Sequence, residues 1–367
     1  MESIYVILAC CLLFGLSYAN GANDVSKAIA TLAGSGVTSV KKAIAWGTVW
    51  TVTGALSGVL WGGAIIKNIS ESIYIDDHGF VFASAMAAAI APILWVSLAT
   101  WRKWPVSTTH SVVGGLVGTG LIAYGIHGIN WPTIFSKIAL PLLISPFMAI
   151  FLAWLLTPWL ERIARMANRL RFCITPVPRF AMVDVQNRNS MLLEDCIICD
   201  CDSTEAGLTH GVNISVDSMH WLTSGMLSFS RGLNDSPKLI AIVLPFLFIY
   251  DPVPVWWFIW GGLAMGLGSW FGGKKITELL GFQVTRLNHE QGFAANLVST
   301  FLVIGASRFG MPVSTTHVSS SSIMGVGLVN QEGLNMQTVI AMLFAWLVTV
   351  PVAGIFVISV YSFFNLF

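Results

Sequence analysis

"PVSTTH" spans Pro105–His110 and returns, letter for letter, at Pro312–His317. The chain around it has 367 residues, of which 55% are hydrophobic and 10% charged. Soluble domains carry about a quarter charged residues. Two identical hydroxyl clusters in so apolar a chain therefore ask for a reason, and position supplies the first part of it. Each copy follows a second shared signature, GANDVSKAIA at 21–30 and GLNDSPKLIA at 232–241. The separation from Asn23 to Ser107 nearly equals that from Asn234 to Ser314, and ATWRKWPVSTTH aligns with ASRFGMPVSTTH. Two motifs in the same order at the same spacing mark an internal duplication, as in many transporter folds.

The mean hydropathy of +0.75 indicates an all-α polytopic membrane protein. Crossing the hydrocarbon takes about 20 apolar helical residues. Such runs lie at 3–22, 43–66, 80–101, 136–158, 253–272 and 337–363. Shorter or glycine-broken runs lie near 111–126, 216–230, 238–250, 292–306 and 318–329. The first run lacks a basic leader and a small-residue cleavage site, so it reads as a retained helix rather than a signal peptide.

Lys and Arg in short loops favour the cytoplasm. Lys41, Lys42, Arg102 and Lys103 then lie inside, and the acidic loop with Glu71, Asp76 and Asp77 outside. The arginines after residue 158 return the chain inside after five crossings, an odd count that inverts the second copy. The expected architecture is two inverted-topology repeats, 1–158 and 216–367, with broken helices or re-entrant hairpins at a midplane site. Both termini are then external, and residues 159–215 form a cytoplasmic loop.

Pro105 and Pro312 stop a helix arriving from upstream. Ser107 or Thr108, and Ser314 or Thr315, can each cap a new one. A capped start presents free N–H groups and a positive dipole end, which bind anions. Six hydroxyls, on Ser107, Thr108, Thr109, Ser314, Thr315 and Thr316, add donors without charge and suit a tetrahedral oxyanion. The plainer reading has these hydroxyls bonding carbonyls of their own or a neighbouring helix.

Asp24 and Asp235 occupy the same slot in both halves, and a carboxylate in a membrane span is costly and usually functional. With Asn23 and Asn234 they offer oxygens to a coupling cation, if Gly21 and Gly232 let the helices unwind. The alternative pairs them with Lys27 and Lys238, three residues on. Moving one charge across 100 mV involves about 2.3 kcal/mol, so an entering dianion needs cations beside it. Asp24→Asn is expected to abolish or uncouple transport while leaving folding intact. His110 and His317 are candidates for a proton relay or for simple packing.

These residues resemble the inorganic phosphate transporter family, with its duplicated GANDVAN-like and PVSTTH-like signatures. The likeness covers roughly 4–158 and 216–363. It implies symport of inorganic phosphate with a coupling cation, Na⁺ ahead of H⁺, and a homodimer in the lipid bilayer of the plasma (inner) membrane. No cofactor is required. The family's Asn-Asp residues map onto Asn23, Asp24, Asn234 and Asp235, and its substrate hydroxyls onto the six above. The second signature departs from the pattern, reading GLNDSPK with Pro237 inside it and Arg231 just before.

A sulfate or related oxyanion permease is the alternative within transport. A channel or an intramembrane hydrolase using Ser107 or Ser314 is the alternative outside it. No G-x-x-x-x-G-K-[ST] signature is present, and a net charge of +1 points to no nucleic-acid partner. The loop between the halves is basic at first and acidic later. Its later part holds CIICDC, with Cys173 upstream in the basic part, so Cys173, Cys196, Cys199 and Cys201 could bind a thiophilic metal such as Zn²⁺ or sense redox state. Cys10 and Cys11 read as apolar packing in the first helix.

Overall fold

The computed structural model describes residues 2–70, 82–169, 215–246, 253–330 and 333–366. They are almost wholly helical, and among the described residues no strand occurs. The first half contains α1 (Glu2–Gly34), α2 (Val40–Trp61), α3 (Gly63–Ser70), α4 (Phe82–Trp101) and α5 (Thr108–Tyr124). A short α6 (Trp131–Thr133) passes through a π-helical stretch, Ile134–Ala139, into α7 (Leu140–Arg169). The second half contains α8 (Val216–Val243), α9 (Val255–Gly272), α10 (Lys274–Phe282), α11 (His289–Arg308), α12 (Thr315–Val329) and α13 (Met336–Phe364). The spans from Ile4, Val40, Phe82, Trp131 and Met336 are long and apolar enough to cross a bilayer. This is an integral membrane protein.

Polarity is distributed inside out relative to a soluble protein. Phe147, Phe151 and Trp154 of α7 and Phe344 and Leu347 of α13 face outward, while Asn, Asp, Lys, Arg and Ser side chains fill the interior. Hydrocarbon accepts the first set readily; the second must find partners within the protein. Every residue of α12 from Thr315 to Gly327 is buried, four consecutive serines included. That burial explains why α12 gave only a weak apolar signal.

The two Asn-Asp signatures do not break their helices. α1 runs unbroken through GANDVSK to Gly34, and α8 runs through GLNDSPK with Pro237 inside it. The expected unwinding at Gly21 and Gly232 is therefore corrected, and these glycines have another role. A β-carbon on Gly21 would lie 2.0 Å from the Met265 carbonyl oxygen, and one on Gly232 would lie 2.2 Å from that of Thr51. Each glycine lets two helix backbones touch, the means by which membrane helices pack without a hydrophobic drive. The chain breaks instead at the proline signatures, between α4 and α5 and between α11 and α12.

Packing is reciprocal between the halves. α1 lies on α9 as α8 lies on α2, and α5 lies on α13 as α12 lies on α7. These exchanges carry the middle of α1 and α8 and the starts of α5 and α12 to one place. α7 continues past residue 158, with Arg162 and Arg165 exposed on its final turns. Cys10 packs against the core, whereas Cys11 is exposed.

Candidate anion and cation site

Each proline signature follows the same helix ending. Lys103 and Gly310 adopt positive φ, 64° and 66°. The next amide returns to the old helix, Trp104 N to Ala99 O at 2.8 Å and Met311 N to Ala306 O at 2.9 Å. This left-handed closure satisfies carbonyls that a terminating helix would orphan. A lysine in this conformation is uncommon, and its slot matches that of Gly310.

Three residues later a serine opens the next helix. Ser107 Oγ accepts from His110 N at 3.1 Å, and Ser314 Oγ accepts from His317 N at 3.1 Å. Of the two candidates in each half, the serine is the cap. The starts of α5 and α12 then meet. Thr316 Oγ1 donates to the Val106 carbonyl at 2.9 Å, and Thr109 Oγ1 donates to the Val313 carbonyl at 3.3 Å. The His110 and His317 rings pack at a tilt of 38° with centroids 4.3 Å apart, and the Trp346 ring lies 4.2 Å from that of His317. Trp346 Nε1 also donates to the Pro105 carbonyl at 3.1 Å. All six candidate hydroxyls are buried here, Thr315 in the first turn of α12.

The Asn-Asp residues complete the same centre. Asn20 Nδ2 bridges the halves, donating to Asp24 Oδ2 at 3.0 Å and to Asp235 Oδ2 at 3.2 Å. Thr108 Oγ1 donates to Asp24 Oδ2 at 2.9 Å, joining a substrate candidate to a cation candidate. Asn23 Nδ2 donates to Thr100 Oγ1 at 2.9 Å and to the Trp104 carbonyl at 3.1 Å. Asn234 Nδ2 donates to the Val313 carbonyl at 3.0 Å, while Asn234 Oδ1 accepts from Ser307 Oγ at 3.2 Å. Asp24 pairs with Lys27, and Asp235 with Lys238 at 3.0 Å.

Arg231 is the fifth charged group in the cluster. Its Nη2 donates to Thr51 Oγ1 at 2.6 Å, whereas its Nε and Nη1 meet no partner among the described residues. Three buried cations, Lys27, Lys238 and Arg231, thus stand beside two buried carboxylates. The surplus suits a centre that receives an anion. Asn20, Thr51, Thr100 and Ser307 were not singled out from the sequence. Alignment of the halves would have exposed two relations, because Asn20 and Arg231 each stand three residues before the Asn of their signature, and Thr100 matches Ser307.

Cys173, Cys196, Cys199 and Cys201 lie outside the described residues. Among the described residues no group of three or more His, Cys, Asp or Glu is placed to hold a metal ion.

A helical bundle that gathers two duplicated signatures into one buried, positively biased centre defines a membrane transporter. The model of the Phosphate transporter family matches residues 20–357, and the chain belongs to that family. A candidate phosphate permease of Pyrococcus horikoshii is 28% identical, over 96% of this chain and 95% of its own. Inorganic phosphate transporter 2-1, chloroplastic, of Arabidopsis thaliana is 25% identical, over 94% of this chain and 70% of its own. A solved structure titled "The sodium-dependent phosphate transporter" superposes with a TM-score of 0.76 at 24% identity, covering 99% of each chain. These relatives are transporters rather than enzymes.

Proposed function

We propose that this protein imports inorganic phosphate by secondary active transport with alternating access. Phosphate is held between the starts of α5 and α12 by the hydroxyls of Ser107, Thr108, Thr109, Ser314, Thr315 and Thr316. A compensating positive charge stands at Asn23, Asp24, Asn234 and Asp235. The observation that carries this reading is the meeting of the two PVSTTH signatures: Thr109 and Thr316 each bond the other half's main chain. Helix N-termini pointing into a buried polar centre are anion sites by their geometry. Phosphate is favoured over sulfate by the family whose model the chain matches.

The same reading makes residues 1–158 and 216–367 inverted repeats, with external termini, a cytoplasmic loop and a homodimeric assembly. The reciprocal packing of α1 on α9 and α8 on α2 supports it. Na⁺ ahead of H⁺ is the order the resemblance implies for a mobile coupling ion, and the lysines on the carboxylates bear directly on that order. The test is uptake of labelled phosphate into proteoliposomes, under an imposed Na⁺ or pH gradient, with excess unlabelled sulfate. Phosphate entry that sulfate does not suppress is expected. Sulfate entry in its place would overturn the substrate.

A further inference from the structure

The oxygens that would ligate a mobile cation at the Asn-Asp sites already have cations on them. Lys27 Nζ donates to the Asp24 carboxylate, to Asn23 Oδ1 at 2.7 Å and to the Val106 carbonyl at 3.1 Å. Lys238 Nζ donates to Asp235 Oδ1 at 3.0 Å, to Thr109 Oγ1 at 2.9 Å and to the Val313 carbonyl at 2.7 Å. Each set joins a carboxylate, a neutral side-chain oxygen and a main-chain carbonyl. Those are the hard donors an alkali cation takes within transporter helices. An ammonium has three protons, and here each finds one oxygen.

The remaining carboxylate oxygens are occupied too. Asp24 Oδ2 accepts from Asn20 and Thr108, and Asp235 Oδ2 accepts from Asn20. Both lysines are buried, 1% and 2% exposed, so the oxygens around them replace water as their solvation. Both stand at the last position of their signatures, GANDVSK and GLNDSPK, three residues after the aspartate. With Arg231 beside them, a further cation would enter a cluster already in positive excess.

We propose that Lys27 and Lys238 are tethered cations that take the place of mobile Na⁺, so that phosphate moves through this protein without a co-transported alkali ion. The proposal rests on the transport reading above for its substrate, but not for its sodium measurement. The lysines supply the compensating charge from within the carrier. Each remains on its helix when the anion leaves. Driving uptake is then left to protons, and a sodium gradient contributes nothing.

Two measurements on the purified full-length protein test this. The first is binding of radiolabelled Na⁺, together with the thermal midpoint in sodium or choline chloride at equal ionic strength. The second is phosphate uptake in the same two salts. The wild type is expected to bind no Na⁺ and to show no shift in midpoint, because a ligand stabilises only a state that binds it. Its uptake rates in the two salts should agree within about two-fold, whereas a coupled ligand typically changes its partner's binding by about 5-fold or more.

Lys27→Asn empties the first oxygen set, leaving Asp24 without its cation. This variant is expected to bind Na⁺, with a higher midpoint in sodium than in choline; Lys238→Asn tests the second set if Lys27→Asn does not fold. Sodium binding by the wild type, wild-type uptake lost about 5-fold or more in choline, or a folded asparagine variant that binds no Na⁺ would each overturn the proposal. A wild type that carries no phosphate in either salt would defeat the transport reading, while the sodium-binding measurement would still decide the role of the lysines.

Discussion

His110 and His317, each the last residue of its proline signature, pack ring against ring at a tilt of 38°, with centroids 4.3 Å apart. Their side chains touch because both helix starts enter the same small volume, so the pair reports directly on the meeting of the halves. Aromatic pairs contribute about 0.5–1.5 kcal/mol beyond their buried area. The losses of stability from His110→Ala and His317→Ala should therefore be non-additive by a similar amount in the double variant, about 0.5–1.5 kcal/mol, as a double-mutant cycle of equilibrium unfolding in detergent would measure. Strict additivity would place the rings apart in the folded protein.

Ser107 and Ser314 each accept the amide of a histidine three residues on. Removing a serine cap costs about 0.5–2 kcal/mol. Ser107→Ala and Ser314→Ala should each destabilise by that much and weaken phosphate binding, since the helix start that fraying exposes is the proposed anion site. Ser57, a half-buried serine that bonds its own helix at Thr53, is the control. Ser57→Ala should leave both stability and uptake near wild type.

The close approach of α1 to α9 makes Gly21 intolerant of any side chain. Its β-carbon would stand 2.0 Å from a main-chain oxygen, which has no rotamer by which to yield. Overpacking of this kind costs about 1–3 kcal/mol, and Gly21→Ala should lower the unfolding midpoint accordingly. Gly63, whose added β-carbon would meet nothing within 4 Å, should accept alanine without loss. Equal behaviour of the two variants would refute the packing role.

Much of this site was legible in the sequence because its parts recur. Ser107 and Ser314 were readable as caps because a proline precedes each and an apolar run follows. Asp24 and Asp235 were readable as partners because their distances to those serines nearly match. The continuity of α1 and α8 was not readable, because the local signals, a glycine and a cluster of polar residues, are those of a helix end. Whether such a segment breaks depends on what surrounds it. Burial among α2, α9 and the helix starts gives its polar side chains partners and lets the intact helix bond its own main chain. Pro237 within α8 is the extreme case, a breaker overridden by context.

Asp24→Asn revises one expectation drawn from sequence alone, that this change spares the fold. Asp24 is paired with Lys27, and both are buried. Removing one member of such a pair leaves the other charge uncompensated, at about 3–5 kcal/mol. The single variant should therefore be markedly less stable as well as inactive, and inactivity by itself would not separate a transport defect from a folding defect. The double variant Asp24→Asn with Lys27→Met removes both charges together. A buried ion pair replaced as a unit is often close to neutral. The double variant should thus regain most of the lost stability, read as its unfolding midpoint, while phosphate uptake stays absent. Recovery of uptake along with stability would mean that the pair holds α1 in place and takes no part in carrying phosphate.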